Sequence, residues 1–129
     1  MFNSIKVRTA LAALAISVTA LSGVATAQAG GKATTKVNIK GHDGDYYGYV
    51  KSSDSGNCAS DREVKVFKQT GSDQDPKHDQ KIGTDTAQAN GDGYMWSIGN
   101  SGYKSGKFYA KATKVPGFCK AVTSPTITR

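Results

Sequence analysis

Several motifs that define common enzyme and metal-binding classes are missing from this 129-residue sequence. It contains no Gly-x-Ser-x-Gly turn, no His-Glu-x-x-His helix and no phosphate-binding glycine loop, which argues against the enzyme classes that those motifs define. Only two histidines are present. His42 and His78 lie in polar segments without a second ligand at helical or strand spacing, so a zinc site is not expected. The sequence therefore predicts a protein without a cofactor.

Long runs of charge of one sign are also missing. Lysine and arginine number 17 against 10 aspartate and glutamate residues, but no five consecutive residues carry the same charge. This scattered distribution is typical of a solubilising surface and excludes the dense basic stripe of a specific nucleic-acid-binding protein. It still predicts weak, salt-sensitive attraction to anionic polymers such as acidic polysaccharides or cell-wall polymers.

The one long apolar run lies near the N-terminus. A short basic start precedes 13 uncharged, mostly apolar residues, 9–21, which are followed by small residues. This order is typical of a secretory signal peptide, and the apolar run is too short for a transmembrane helix. We expect residues 1–27 to be removed by cleavage after Ala25-Thr26-Ala27. Cleavage after the overlapping Ala27-Gln28-Ala29 would remove residues 1–29. The sequence thus predicts a secreted, extracellular protein with no stable membrane insertion after cleavage.

Cys58 and Cys119 are the only cysteines, and both follow the predicted signal peptide. A cysteine pair in an exported chain favours a disulfide, because the extracellular compartment is oxidising. The bond would close a loop of about 60 residues and stabilise the fold by roughly 4 kcal/mol. The alternative, a catalytic or metal-binding thiol, needs a neighbouring ligand or base, and neither histidine is close in sequence to either cysteine.

After residue 30 the sequence shows no helical periodicity. Short runs rich in Val, Thr, Tyr and Phe are separated by turn-forming residues about every eight to twelve positions, which is typical of an all-β sandwich or barrel. We predict a flexible leader, 28–33, and a single domain, 34–129, folded as an about seven-stranded Greek-key β-sandwich. Pro125 interrupts the last strand, which favours a sheet edge. The predicted strands are 34–39, 46–52, 63–69, 80–84, 93–98, 107–113 and 121–128.

Alternation along these strands separates residues that face the core from residues that face outward. The single tryptophan has the parity of the core, and its expected role is to fill the space between the sheets. The predicted core comprises Val37, Ile39, Val50, Val64, Val66, Ile82, Trp96, Ile98, Phe108 and Ala110.

Four other aromatic residues, Tyr47, Tyr49, Phe67 and Tyr109, have the opposite parity. If their strands are neighbours, these rings form an outward stripe flanked by lysines, which is a candidate surface for a stacked saccharide or peptide. Partial burial of these rings under a loop is the commoner explanation of such a pattern.

Aspartates in glycine-bearing loops are the candidate metal ligands. Asp43 and Asp45 alternate in one loop, and Asp73 and Asp75 in another, as carboxylates do around calcium. Neither loop has the spaced glutamate of a complete calcium site. Turn formation through side-chain hydrogen bonds to the backbone is the favoured interpretation, and no metal is expected.

Enzymatic activity is not expected either. A small secreted hydrolase such as a ribonuclease needs a basic site around an acid and a histidine. Arg62, Glu63 and His78 are available in the sequence. However, Glu63 lies in a predicted strand and His78 in a loop, so we predict no catalytic residues.

Short motifs along the whole predicted domain resemble those of one family. They are Gly48-x-Val50-x-Ser52, Arg-Glu-Val-Lys-Val-Phe-Lys over 62–68, Lys-Ile-Gly-Thr-Asp-Thr over 81–86, Gly-Lys-Phe-Tyr-Ala-Lys over 106–111, and Cys119-Lys120-Ala121. The chain resembles small secreted bacterial proteins with a prealbumin-like sandwich, similar in layout to carboxypeptidase regulatory-like and collagen-adhesin B-type domains. The resemblance implies a prealbumin-like sandwich fold, and a role as a spacer, adhesion piece or ligand-binding module. The isopeptide bond of many collagen-adhesin domains is not expected, because the last strand has no asparagine.

These observations predict a secreted, non-catalytic binding or adhesion module that acts at or outside the cell envelope. The expected partner is a polysaccharide or cell-wall polymer, or another extracellular protein. The alternative is a structural or protein–protein interaction module that uses an exposed strand edge, for example beside Pro125. The chain ends without an apolar tail, which favours release over covalent anchoring.

Overall fold

This computed structural model describes residues 33–129, which contain ten short strands and one helical turn. The predicted signal peptide, 1–27, and all but the last residue of the predicted leader, 28–33, lie outside it. Within the described residues, no helix is long and apolar enough to cross a membrane. The elements are β1 (Thr35–Val37), β2 (Lys40–His42), β3 (Asp45–Ser52), α1 (Ser55–Cys58), β4 (Glu63–Gln69), β5 (Gln80–Thr86), β6 (Gln88–Asn90), β7 (Gly93–Ile98), β8 (Lys107–Ala112), β9 (Val122–Thr123) and β10 (Ile127–Thr128).

The strands form two antiparallel sheets. In the first sheet the order is β1, β3, β7, β6, and β2 also pairs with β3. In the second sheet the order is β10, β8, β4, β5, and β9 also pairs with β8. Each of the seven predicted strands overlaps an observed strand, and the last, 121–128, contains both β9 and β10. The strands β2 and β6 lie outside the predicted ranges. The predicted all-β sandwich is confirmed, with ten strands in place of about seven.

The short strands β2, β6 and β10 are each separated from the strand before them by an identifiable interruption. Between β1 and β2, the Asn38 side chain accepts the Tyr49 amide at 2.6 Å and replaces a bond of the regular ladder. Ala87, between β5 and β6, is fully buried, and the chain passes there from the second sheet to the first. Pro125 separates β9 from β10 at an edge of the second sheet, as predicted.

The core between the sheets contains all ten residues predicted for it. Eight are buried, and Ile82 and Ile98 are half-buried against them. Tyr46 extends the core, with its ring centroid 4.6 Å from that of Phe108. Trp96 is fully buried, and its indole Nε1 has no hydrogen-bond partner among the described residues.

One end of the sandwich is held by a disulfide and a buried arginine. Cys58, in α1, and Cys119, after β8, are at disulfide bonding distance, with their α-carbons 5.8 Å apart. Beside them, Arg62 is only 1% exposed. Its guanidinium donates to the backbone carbonyls of Cys58, Thr113 and Lys120 at 2.8, 2.6 and 2.8 Å. Burial lowers the pKa of this guanidinium, because water no longer solvates its charge.

Candidate functional site

The four candidate stacking residues lie on two different sheets. Tyr47 and Tyr49 are on β3 of the first sheet, whereas Phe67 and Tyr109 are opposite each other on β4 and β8 of the second. Tyr47 is 37% exposed and Tyr49 is half-buried, but Phe67 and Tyr109 are buried. The predicted single stripe of four rings is therefore wrong, because the two pairs belong to opposite faces of the sandwich.

Phe67 and Tyr109 are covered by the polar segment that connects β4 to β5. Their rings stack with centroids 5.4 Å apart. In the covering segment, Asp79 accepts hydrogen bonds from the Tyr109 hydroxyl at 2.7 Å, from the Thr70 amide and hydroxyl at 3.0 Å each, and from the Asp75 amide at 2.7 Å. Burial would raise the pKa of Asp79, but these donors outweigh it and hold the pKa at about 2.

The covering segment should make stability depend on pH through Asp79. The folded-state pKa of Asp79, about 2, lies below the ordinary value of 3.8. The contribution of Asp79 to stability is therefore complete above about pH 5 and is lost as the pH falls through about 2. We expect Asp79→Asn to lower the free energy of unfolding by about 2 kcal/mol at pH 7. The NH₂ group of asparagine would face the Tyr109 hydroxyl and the Asp75 amide, which are themselves hydrogen-bond donors. Urea titrations from pH 7 to pH 2 should show the difference between wild type and variant shrinking. A difference that is constant with pH would contradict this assignment.

The exposed aromatic surface is the outer face of the first sheet around the two tyrosines, here called the Tyr47–Tyr49 face. On the neighbouring strand β7, Met95 is the register partner of Tyr49, and Ser97 that of Tyr47. A β-carbon on Gly93 would lie 3.0 Å from the Tyr49 ring. The ring of Tyr49 therefore rests against the backbone of Gly93, and a larger residue at position 93 would push the ring away.

Two shallow hollows flank Tyr49 and its neighbour on the same face, Lys51. One, of about 360 Å³, lies toward the turn between β6 and β7, and the other, of about 280 Å³, lies toward β1. Tyr49 thus forms a ridge between two open depressions, each large enough for part of a small ligand. The first is also lined by Asn90, Gly91, Asp92 and Gly93, and the second by Lys36, Val37, Asn38 and Pro125.

The candidate calcium ligands take part in separate local contacts. Asp43 lies 3.5 Å from a lysine Nζ, and Asp45 accepts a backbone amide at 2.7 Å. Asp75 contacts Nδ1 of His78 at 2.8 Å, and Asp73 is exposed. Within residues 33–129, no three acidic, histidine or cysteine side chains are grouped closely enough to hold a metal ion.

The residues considered for a hydrolase are not brought together. Glu63 begins β4, whereas His78 precedes β5 at the end where Gln80 pairs with Lys68. The length of β4 therefore separates the acid from the histidine by roughly 20 Å. Arg62 is buried and bonded to three backbone carbonyls.

Several residues of the Tyr47–Tyr49 face were missed in the sequence, although a signal for them was present. Gly93, Met95 and Ser97 alternate with the core-facing residues of β7, so their parity already places them on the outer face. Lys36 precedes buried Val37 and has the outward parity in the same way. The pairing of β3 with β1 and β7 is what makes these residues neighbours of Tyr49.

Fold and face together define a β-sandwich module with an exposed aromatic surface on one sheet. No model of a known protein family matches the chain. No curated protein is significantly similar to it in sequence. The Tyr47–Tyr49 face is therefore interpreted from its own chemistry.

Proposed function

We propose that this protein is an exported, non-catalytic binding module whose ligand is a carbohydrate that stacks on the Tyr47–Tyr49 face. The observation that supports this most directly is the position of the two tyrosines, two residues apart on β3 and on its outer side. Two such residues are about 7 Å apart along a strand, so one oligosaccharide can contact both. Aromatic rings provide apolar contact area, and their hydroxyls a polar end.

Polar groups suited to sugar hydroxyls surround the tyrosines. Ser97 lies opposite Tyr47, and Gln88 lies opposite Met95 on the next strand. Asn90 lines the larger hollow and Asn38 the smaller one. A few polar groups placed around an apolar contact surface are the usual composition of a small-ligand site.

The remaining sequence features support a location at or outside the cell envelope. The predicted signal peptide would export the chain, and the Cys58–Cys119 pair suits an oxidising compartment. The resemblance to prealbumin-like secreted modules also supports a binding or adhesion role.

Replacing the tyrosines should weaken glycan binding without unfolding the domain. We expect Tyr49→Ala to weaken binding at least about tenfold, and Tyr47→Ala with Tyr49→Ala to abolish it, because the stacking surface is removed. Binding would first be sought on an array of glycans and cell-wall fractions, then measured by calorimetric titration. Phe118→Ala is the matched control, since Phe118 is 51% exposed but lies in the turn before Cys119, outside this face. Unchanged binding by the double variant, or an equal loss in the control, would contradict the proposal.

The strand-edge alternative has less support from the geometry. Beside Pro125, the edge of the second sheet consists of β9 and β10, which have two residues each. The longer edge strand β5 lies along β7, where the Asp85 side chain accepts the Ser97 amide at 2.7 Å. Both edges of the second sheet are thus poor templates for an added strand.

A further inference from the structure

Two lysines lie directly opposite each other at the edge of the Tyr47–Tyr49 face. Lys36 on β1 and Lys51 on β3 are register partners, and both are exposed. Their neighbours Val37 and Val50 are buried, so both lysines have the outward parity. Directly opposite residues have β-carbons about 5 Å apart, and like charges in this arrangement destabilise a sheet.

Neither lysine of this pair forms an ion pair with a carboxylate of the described residues. The ion pairs present in residues 33–129 are those of His78 with Asp75 and of Lys104 with Asp43. Asp92 lines the hollow on the other side of Lys51, but it forms no ion pair with that lysine. The hollow between β1 and Tyr49 is therefore lined by two lysines without an ion-pair partner and by an aromatic ring.

A second lysine pair shows what is particular about the first. Lys65 and Lys111 are also register partners, on the outer face of the second sheet. Glu63 shares that face two residues away on β4, and the nearby ring of Phe67 is buried. Neither lysine pair forms an ion pair, so the partly exposed ring of Tyr49 is what distinguishes the first pair from the second.

We propose that Lys36 and Lys51 bind the carboxylate of a uronic acid residue whose ring stacks on Tyr49, so that the ligand is an acidic polysaccharide. This inference rests on the proposed carbohydrate-binding function and specifies its ligand. A uronic acid carries its carboxylate directly on the sugar ring, so one residue can satisfy both the ring contact and the two charges. A polyol phosphate chain would supply the anion but no ring. Lys40, opposite Tyr47, offers a positive charge to a further residue of the chain.

The test compares one oligosaccharide in its charged and uncharged forms. The exported protein, with the signal peptide removed, is titrated with oligogalacturonate and with the fully methyl-esterified oligomer of the same length. We expect the acid to bind at least about tenfold more tightly at low salt, and this advantage to decrease toward 0.5 M NaCl, at about which the Debye length falls below 5 Å. Lys36→Gln with Lys51→Gln should lose roughly tenfold in affinity for the acid and so remove most of the difference in affinity between the acid and the ester.

Lys65→Gln with Lys111→Gln is the matched control, since it removes the same charge from the other sheet. An equal loss in this control would show non-specific attraction and overturn the proposal. Equal binding of acid and ester would overturn the charge inference and leave the proposed function standing, whereas binding of no glycan at all would overturn both. Equally tight binding of dextran sulfate or inorganic phosphate would overturn the assignment to a carboxylate. Thermal unfolding of both double variants establishes that each is folded, and we expect the Lys36–Lys51 variant to be at least as stable as wild type.

Discussion

Replacing Cys58 and Cys119 together by alanine should lower the free energy of unfolding by about 4 kcal/mol, because the bridge spans 61 residues of the unfolded chain. For a domain of this size the midpoint of thermal unfolding should fall by roughly 20 °C. The loss is a large share of the 5–15 kcal/mol typical of a folded domain. Urea unfolding followed by circular dichroism at low temperature would measure it.

Reduction provides the control for this variant. Dithiothreitol should destabilise the wild type by a similar amount and should leave the alanine double variant unaffected. If oxidised and reduced wild type unfold at the same urea concentration, the bridge does not constrain the unfolded chain, and the expected effect is wrong.

Replacing Arg62 by methionine should cost about 3 kcal/mol. The guanidinium satisfies the carbonyls of Cys58, Thr113 and Lys120, and a buried carbonyl without a donor is penalised. Arg62→Lys should recover only part of the loss, since an ammonium lacks the planar fork that reaches three acceptors. The measurement is the same urea titration.

Arg129→Met is the matched control for Arg62→Met. The Arg129 guanidinium also donates to a backbone carbonyl, that of Gly41 at 2.7 Å, but it is exposed. Its replacement should cost less than about 1 kcal/mol. Equal losses for the two arginines would show that burial of the Arg62 carbonyl contacts contributes nothing.

The alternation of residues was sufficient to predict the core and eight of the ten strands. Val64 and Val66, or Trp96 and Ile98, need only the two-residue period of a strand to be placed correctly. The same rule could not predict β2 and β6. Their sequences, Lys40–His42 and Gln88–Asn90, are polar and short, and they are strands because β3 and β7 offer free edges beside them.

The candidate site was only half predictable, because parity shows which way a side chain points and not what covers it. Phe67 and Tyr109 point outward as expected, yet the segment that contains Asp79 covers them, and Asp79 bonds to Tyr109 from 30 residues away in sequence. Arg62 was considered for catalysis because the sequence does not show that this side chain is buried. Its three acceptors include carbonyls 51 and 58 residues away, which no local pattern shows.

The burial of Trp96 gives the protein an internal fluorescent reporter. Trp96 is the only tryptophan in the chain and lies between the sheets, with its parity opposite to that of Tyr47 and Tyr49. Its emission therefore responds to water entering the core and not to direct contact with a ligand on the outer face. Loss of ligand binding with unchanged emission identifies a defect of the surface, whereas a red shift identifies a defect of packing. One sample can thus distinguish the effects of the tyrosine and lysine variants from those of the cysteine and arginine variants.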